Sequence, residues 1–457
     1  MQNMPNNLKT SAGQRPNIIF IVADDLGYAD LGCYGGRPAR FGEVSPVLDG
    51  LAANGIKFTQ GYSNSPVCSP TRFALMTARY QYRLRGAAEE PINSKARYST
   101  TLGLPPEHPT LPSLLRDSGY RTALVGKWHL GYPPAFGPVR SGYEEFFGPM
   151  SGGVDYFTHC SSNGTHDLWH STEEGEEELA EPGYLTDLIS ARAVDYVNRM
   201  ADGAKSGTPF FMSMHYTAPH WPWETRDDEA LAQEIKANIF HLHGGNIHTY
   251  HRMIHHMDEG IGKVMAALNA QGIADNTLVV FTSDNGGERF SDNWPLVGGK
   301  MDLTEGGIRV PWIAHWPAAI TPGRNSEQHC MTMDWSATML AAAGVPAHSD
   351  YPLDGMSLLP TLHDATAQSP RLLHWRMNHR GQRALRDGDW KYLRVDGNDY
   401  LFNIPADERE RANLAPIHPE RLSAMRDAWE AWNATMPPIP EDATVSLGYS
   451  SKDMPQR

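Results

Sequence analysis

The sequence predicts an α/β fold. It has a large, mostly parallel central sheet sandwiched by helices, followed by a small C-terminal α+β subdomain carrying an antiparallel sheet. Three observations predict it. Residues 15–25 (RPNIIFIVADD) are a short β-branched run closed by two acids, the pattern of a strand buried on both faces whose carboxyl end opens into a loop. Residues 277–287 (TLVVFTSDNGG) repeat that pattern. Helical stretches lie between such runs, and strands alternating with helices build a doubly wound sheet.

Taken in order, residues 46–55 and 111–119 read as helices, and residues 121–125 and 209–215 as further buried strands. Residues 173–181 are acidic and read as a solvated loop. The pattern loosens at 359–370; then ALRDGDWKYLRV and DYLFNI predict half-buried hairpin strands of a four-stranded antiparallel sheet. A helix is expected over 420–432, and a tail that wraps or frays after Pro437. No internal repeat is present. The chain of 457 residues exceeds what one core usually serves. We divide it into a main domain, residues 12–365, and a C-terminal subdomain, residues 366–457.

A charged fraction of 20% with 40% hydrophobic residues fits a soluble globular protein. The net charge of −14 argues against a nucleic-acid partner, because phosphate backbones demand basic patches. It leaves room for a small anionic substrate held by a local group of Lys, Arg and His. Cys33, Cys68, Cys160 and Cys330 are too scattered for a disulfide framework or a zinc ribbon. The N-terminus is polar, and the first apolar run, residues 18–23, is too short to span a membrane. These features predict no membrane association and a cytoplasmic protein, or a periplasmic or secreted one if the chain starts at a mature N-terminus.

Open α/β sheets place their chemistry beyond the carboxyl ends of the strands. Asp24, Asp25, Lys127, His220, Asp284 and Asn285 all fall just after predicted strands, so distant positions can meet at one edge. Each acidic pair alone is an ordinary turn or cap. The pentapeptide Cys68-Ser69-Pro70-Thr71-Arg72 alone is an ordinary core cysteine before a turn, since free cysteine is among the most buried residue types.

Together they say more. The run SNSPVCSPTRFALMTARYQYR resembles the signature of the type I, formylglycine-dependent sulfatases of the alkaline phosphatase superfamily. The resemblance implies that Cys68 is oxidised to formylglycine, whose hydrate is the catalytic group, with Arg72 beside it. It assigns Asp24, Asp25, Asp284 and Asn285, together with residue 68, to a metal ion. Hard oxygen donors without thiolate or imidazole suit one calcium ion better than zinc. In GYRTALVGKWHLG it carries over Lys127 and His129, in HYTAPHWPW His220, and in NWPLVGGKMDLTEGGIRVP Lys300, to sulfate binding and proton transfer. The matches run from residue 16 to about Trp390, and the middle segment (GYEEFFGPMSGGVDYFTH) is most similar to the arylsulfatase B branch, which acts on sulfated sugars. Ala78 departs from the glycine often found there, and alanine suits a helix better than glycine.

The implied activity is hydrolysis of an aryl or sugar sulfate monoester to alcohol and inorganic sulfate. Its implied partner is a formylglycine-generating or anaerobic sulfatase-maturating enzyme. Two competing readings are a phosphonate monoester or phosphodiester hydrolase with the same nucleophile, and a sulfated-glycan binder whose Cys68 stays unmodified. Residues 85–99, 152–170 and 374–379 are the expected substrate-reading loops. His248, His251, His255 and His256 lie at helical spacing; an apolar pattern beside them favours a solvated or interface face over a metal site.

Overall fold

A computed structural model describes residues 14–35, 41–235, 239–240 and 244–446; the polar N-terminal residues 1–13 and the last residues of the tail lie outside the described residues. The organising element is the strand Asn17–Ala23, buried along its whole length. Its side chains alternate between two cores. Ile19, Ile21 and Ala23 pack with residues of the helices Leu185–Lys205 and Ile247–Ala270. Ile18, Phe20 and Val22 pack with residues of the helices Cys68–Thr77, Leu111–Asp117 and Thr332–Ala342. This two-sided burial is why the strand reads as a continuous apolar run, and each such side chain contributes about 1.5–3 kcal/mol.

The main sheet has ten strands in the order Arg324–Ser326, Ile56–Phe58, Trp312–His315, Thr277–Ser283, Asn17–Ala23, Phe210–His215, Arg121–Gly126, Glu145–Gly148, Trp169–Thr172 and Gly175–Glu178. The five from Thr277–Ser283 to Glu145–Gly148 run parallel. The strands flanking this block are antiparallel to it. The acidic segment is therefore no loop. Trp169–Thr172 pairs with Gly175–Glu178 as a hairpin at the sheet edge, and the outer strand is exposed at every position.

Leu372–Arg376, Arg383–Asp387, Trp390–Val395 and Asn398–Asn403 form the second, four-stranded antiparallel sheet. One face packs Leu385, Tyr392 and Leu401 against Met425 and Trp429 of the helix Pro419–Asn433. The other face, with Leu373, Trp375, Leu393 and Phe402, shares a core with Tyr62, Val67, Cys68 and Ala74. The C-terminal sheet thus lies against the helix that starts at Cys68. Among the described residues, no helix is long and apolar enough to cross a membrane.

Two more expectations change. Ala78 lies beyond the helix, at its C-cap with φ 54°, the left-handed region that glycine occupies freely and alanine only with strain. Its helix propensity is irrelevant there. The histidine face is solvated only in part: His248 is exposed and His255 half-exposed, whereas His251 and His256 are buried, His251 with its ring centroid 4.2 Å from that of Phe41 and His256 5.8 Å from Tyr184. The buried two are packing residues.

Candidate active site

Four adjacent strands end level. Ala23 pairs with Ser283, Val22 with His215, and His215 with Gly126. The next residues along these strands are Asp24, Asp284, Tyr216 and Lys127, so register alone gathers two acids and a lysine over the sheet edge. Asp25 has φ 64°, a conformation uncommon outside glycine. This turn lets two consecutive carboxylates face one place, where ligand atoms of Asp24, Asp25 and His220 lie within 4.8 Å of one another. The histidine was no part of the expected metal set.

The cluster is buried and densely paired. Lys127 bonds Asp24 through Oδ2. Lys300 Nζ donates to Asp25 Oδ2 at 2.7 Å, and Asn285 Nδ2 to Asp25 Oδ1 at 2.7 Å. Arg72, one turn along the helix from Cys68, grips Asp284 Oδ2 through Nε (3.2 Å) and Nη2 (2.8 Å), and Nη1 donates to the Lys127 carbonyl at 3.1 Å. Burial pushes Asp24 well above the usual carboxylate range, and the facing Asp284 adds to it. Asp25 is buried too, but Lys300 and His220 hold it well below that range. Burial opposes the charge on Lys300, yet Asp25 and Glu288 raise it well above the ordinary lysine value.

Two buried oxygens in this cluster, Asp24 Oδ1 and Asn285 Oδ1, have no hydrogen-bond partner among the described residues. A buried acceptor left unpaired costs about 1–3 kcal/mol, so two among these acids call for a cation. Oxygen donors from Asp24, Asp25, Asp284 and Asn285 fit calcium.

Cys68 opens its helix at the floor of a cavity of about 520 Å3 and is itself buried, which pushes its thiol up. His129, His220 and Lys300 line the same cavity. His129 Nε2 is 2.7 Å from the Ile92 carbonyl, which only accepts; the proton therefore sits on Nε2 and leaves buried, unpartnered Nδ1 with a free lone pair. By the same reasoning His220 carries its proton on Nδ1, 2.6 Å from the Trp221 carbonyl, and turns Nε2 toward Asp25 Oδ2 at 3.6 Å. Burial lowers both rings, helped by Lys127 at His129 and by Lys300 at His220. Gly152 has to be glycine: a Cβ there would sit 2.3 Å from Cε1 of His129.

All three expected loops reach the cavity, through Pro91–Ser94, through Gly152, Gly153, Ser161 and Ser162, and through His379. His374 does not; it is buried and stacked on Trp432 at 4.7 Å. Sequence reasoning passed over Trp221, Met301 and Asp302 on the wall, and His215, whose Nδ1 lies 3.2 Å from Arg72 Nη1. The position of His215 at the end of the buried strand Phe210–His215 was the available signal.

Residues 16–345 match the family model described as Sulfatase. The chain belongs to the sulfatase family. Among curated relatives, human N-acetylgalactosamine-6-sulfatase is 34% identical over 383 residues, covering 80% of this chain and 69% of that one. Steryl-sulfatase of Rattus norvegicus is 29% identical over 552 residues, covering 95% and 92%. Among solved structures, Ps i-CgsB in complex with k-i-k-neocarrahexaose superposes with a TM-score of 0.80 at 32% identity, covering 92% of this chain and 93% of that one. BT4656 in complex with D-glucosamine-2-N,6-O-disulfate shares the fold, with a TM-score of 0.69 at 21% identity over 92% and 98% of the two chains. This sulfatase is accordingly a sulfuric ester hydrolase. Calcium and a formylglycine nucleophile are general to the family.

Proposed function

We propose that this sulfatase releases inorganic sulfate from a sulfated carbohydrate, with residue 68 as formylglycine and one calcium ion held by Asp24, Asp25, Asp284 and Asn285. The observation that carries the reading is the convergence of Cys68, His129, His220 and Lys300 on one cavity, beside a buried acidic cluster with orphaned oxygens. A sugar is favoured because relatives named for, or solved with, amino-sugar sulfates and a carrageenan oligosaccharide share its sequence or fold.

When bound, the cation and the hydrated aldehyde would supply an acidified nucleophilic hydroxyl, compensation for sulfate charge, and a second hydroxyl through which the aldehyde re-forms. The chain supplies the rest. Lys127 and Lys300 bring ammonium groups to the sulfate end, where burial strengthens their hold on an anion. Arg72 fixes Asp284 and the Lys127 carbonyl, locking the metal pair to the helix of residue 68. His129, with Nδ1 free, accepts the proton released when sulfate leaves. The neutral tautomer of His220 offers Nε2 as an acceptor, so Lys300 is the better donor to the departing alcohol oxygen. General acid assistance of this kind contributes ~10²–10⁴-fold. A maturating enzyme of the formylglycine-generating or anaerobic type is the required partner.

Mass analysis of the Cys68 peptide from protein made in its own host tests the nucleophile. Turnover of an aryl sulfate against an aryl phosphonate with the same leaving group tests the ester class. An unmodified thiol would leave a glycan-binding protein, and preference for the phosphonate would assign the superfamily's other chemistry.

A further inference from the structure

Glu90 is buried, precedes the segment Pro91–Ser94 that lines the cavity, and joins three chain segments. Its carboxylate accepts the backbone N–H of Asn378 at 2.7 Å and of His379 at 2.9 Å. Its own N–H donates to the Thr444 carbonyl at 3.0 Å, and its carbonyl accepts from Ser446 N at 2.9 Å. More bonds hold the same tail. Thr444 N donates to Glu89 Oε2 at 3.1 Å, Asn93 Nδ2 to Ser446 Oγ at 2.6 Å, and Arg85 pairs with Asp442 at 3.0 Å. Terminal segments usually fray unless tied down; this one is tied to a buried residue beside the site. Asn93, His379, Arg380 and Ser446 line the cavity.

The assembly is separate from the catalytic floor. Ile92, whose carbonyl orients His129, has its own anchor, its N–H donating to Ser69 Oγ at 2.9 Å. Arg380 is already paired with Asp396 at 2.6 and 2.9 Å, so the groups left facing a ligand are chiefly neutral hydroxyl, amide and imidazole.

We infer that Glu90 and residues 442–446 build the outer wall of the substrate pocket, and that this wall holds the hydroxyls of the saccharide beyond the sulfated position. The inference rests on the sulfatase reading of the site. Glu90 is a positioning residue: it sets where Asn93, His379 and Ser446 stand and touches no reacting atom.

The test uses the full-length, matured enzyme and two variants, Thr444→Val/Ser446→Ala, which loosens the tail and removes the Ser446 hydroxyl from the wall, and Glu90→Gln, which keeps size and removes one acceptor. Inhibition of 4-nitrophenyl sulfate hydrolysis is to be measured with inorganic sulfate, which would fill only the floor, and with tetrasaccharides from chondroitin 6-sulfate and ι-carrageenan. In the wild type at least one tetrasaccharide should bind more tightly than inorganic sulfate. In both variants the ratio of saccharide KI to sulfate KI should rise at least fivefold. Hydrogen exchange at the His379 amide should quicken in both. An unchanged ratio, or tetrasaccharides that never outcompete sulfate, overturns the wall. Failure of the matured wild type to cleave the aryl sulfate would instead reject the functional reading. Exchange at His379 would then decide the assembly alone, and protection unaltered by loosening the tail would overturn it.

Discussion

Glu224→Gln should make the protein more stable, and increasingly so as pH rises. Glu224 is fully buried; Oε2 accepts from Tyr156 N at 3.2 Å and Oε1 has no hydrogen-bond partner among the described residues. Burial, with the neighbouring Asp155 carboxylate second, raises it from the ordinary 4.5 to about 9. The sign follows from proton counting. Between 4.5 and about 9 the folded protein keeps a proton that the unfolded chain has released, so folding stability falls as pH rises through that window. The slope for one proton is about 1.4 kcal/mol per pH unit, giving a cost of about 3 kcal/mol by pH 7. Glutamine cannot ionise; its carbonyl can serve Tyr156 and its amide can donate to Asp155. Urea denaturation of both proteins at pH 6, 7 and 8 reads the difference, and the gap should widen by roughly 2–3 kcal/mol across that range. Parallel stability curves would refute the reasoning, because they would mean that Glu224 is ionised at neutral pH at no cost.

Four further outcomes are expected. Cys68→Ser, verified as unoxidised, should turn over at most once and accumulate a sulfated serine in the intact mass, since one hydroxyl can attack but none remains to expel sulfate; sustained turnover would contradict the covalent route. Lys300→Ala should slow esters of poor leaving groups more than activated aryl sulfates, and equal losses along the series would limit Lys300 to binding. Calcium at about 100 times its Kd should stabilise the wild type by about 2.7 kcal/mol, seen as a higher thermal midpoint; Asp24→Asn should lose that increment, and a full increment would remove Asp24 from the ligands. Ala78→Gly should stabilise by a few tenths to about 1 kcal/mol in chemical denaturation by relieving the left-handed cap, and a loss of stability would show that the cap is unstrained.

The parts legible in the sequence are those where one local pattern has one physical meaning. Residues 18–23 are apolar on both faces because both faces are covered, and the acids that follow stand where the strand ends, themselves buried. The strand Gly175–Glu178 has no buried face, so nothing apolar marks it. Ala78 is placed by tertiary contacts, its carbonyl accepting from Asp354 N and Gly355 N, which its helix-favouring side chain does not announce. His251 and His256 looked polar because the rings that cover them, Phe41 and Tyr184, are distant in sequence. At the site, the motif-borne Cys68, His129, His220 and Lys300 stand around one cavity. His215 was not legible, because it matters through Arg72, a neighbour that the fold supplies, and Trp221 was not, because only the fold sets it on the cavity wall.

The core shared by Cys68 and the C-terminal sheet bears on the order of events during synthesis. Val67, Cys68 and Ala74 are covered on one side by Leu373, Trp375 and Phe402, residues made about 300 positions after the cysteine. A ribosome adding about 5–20 residues per second takes roughly 15–60 s to cover that interval. Through that time the nascent helix of Cys68 lacks one of its two sides, and the thiol stays open to any enzyme that must reach it.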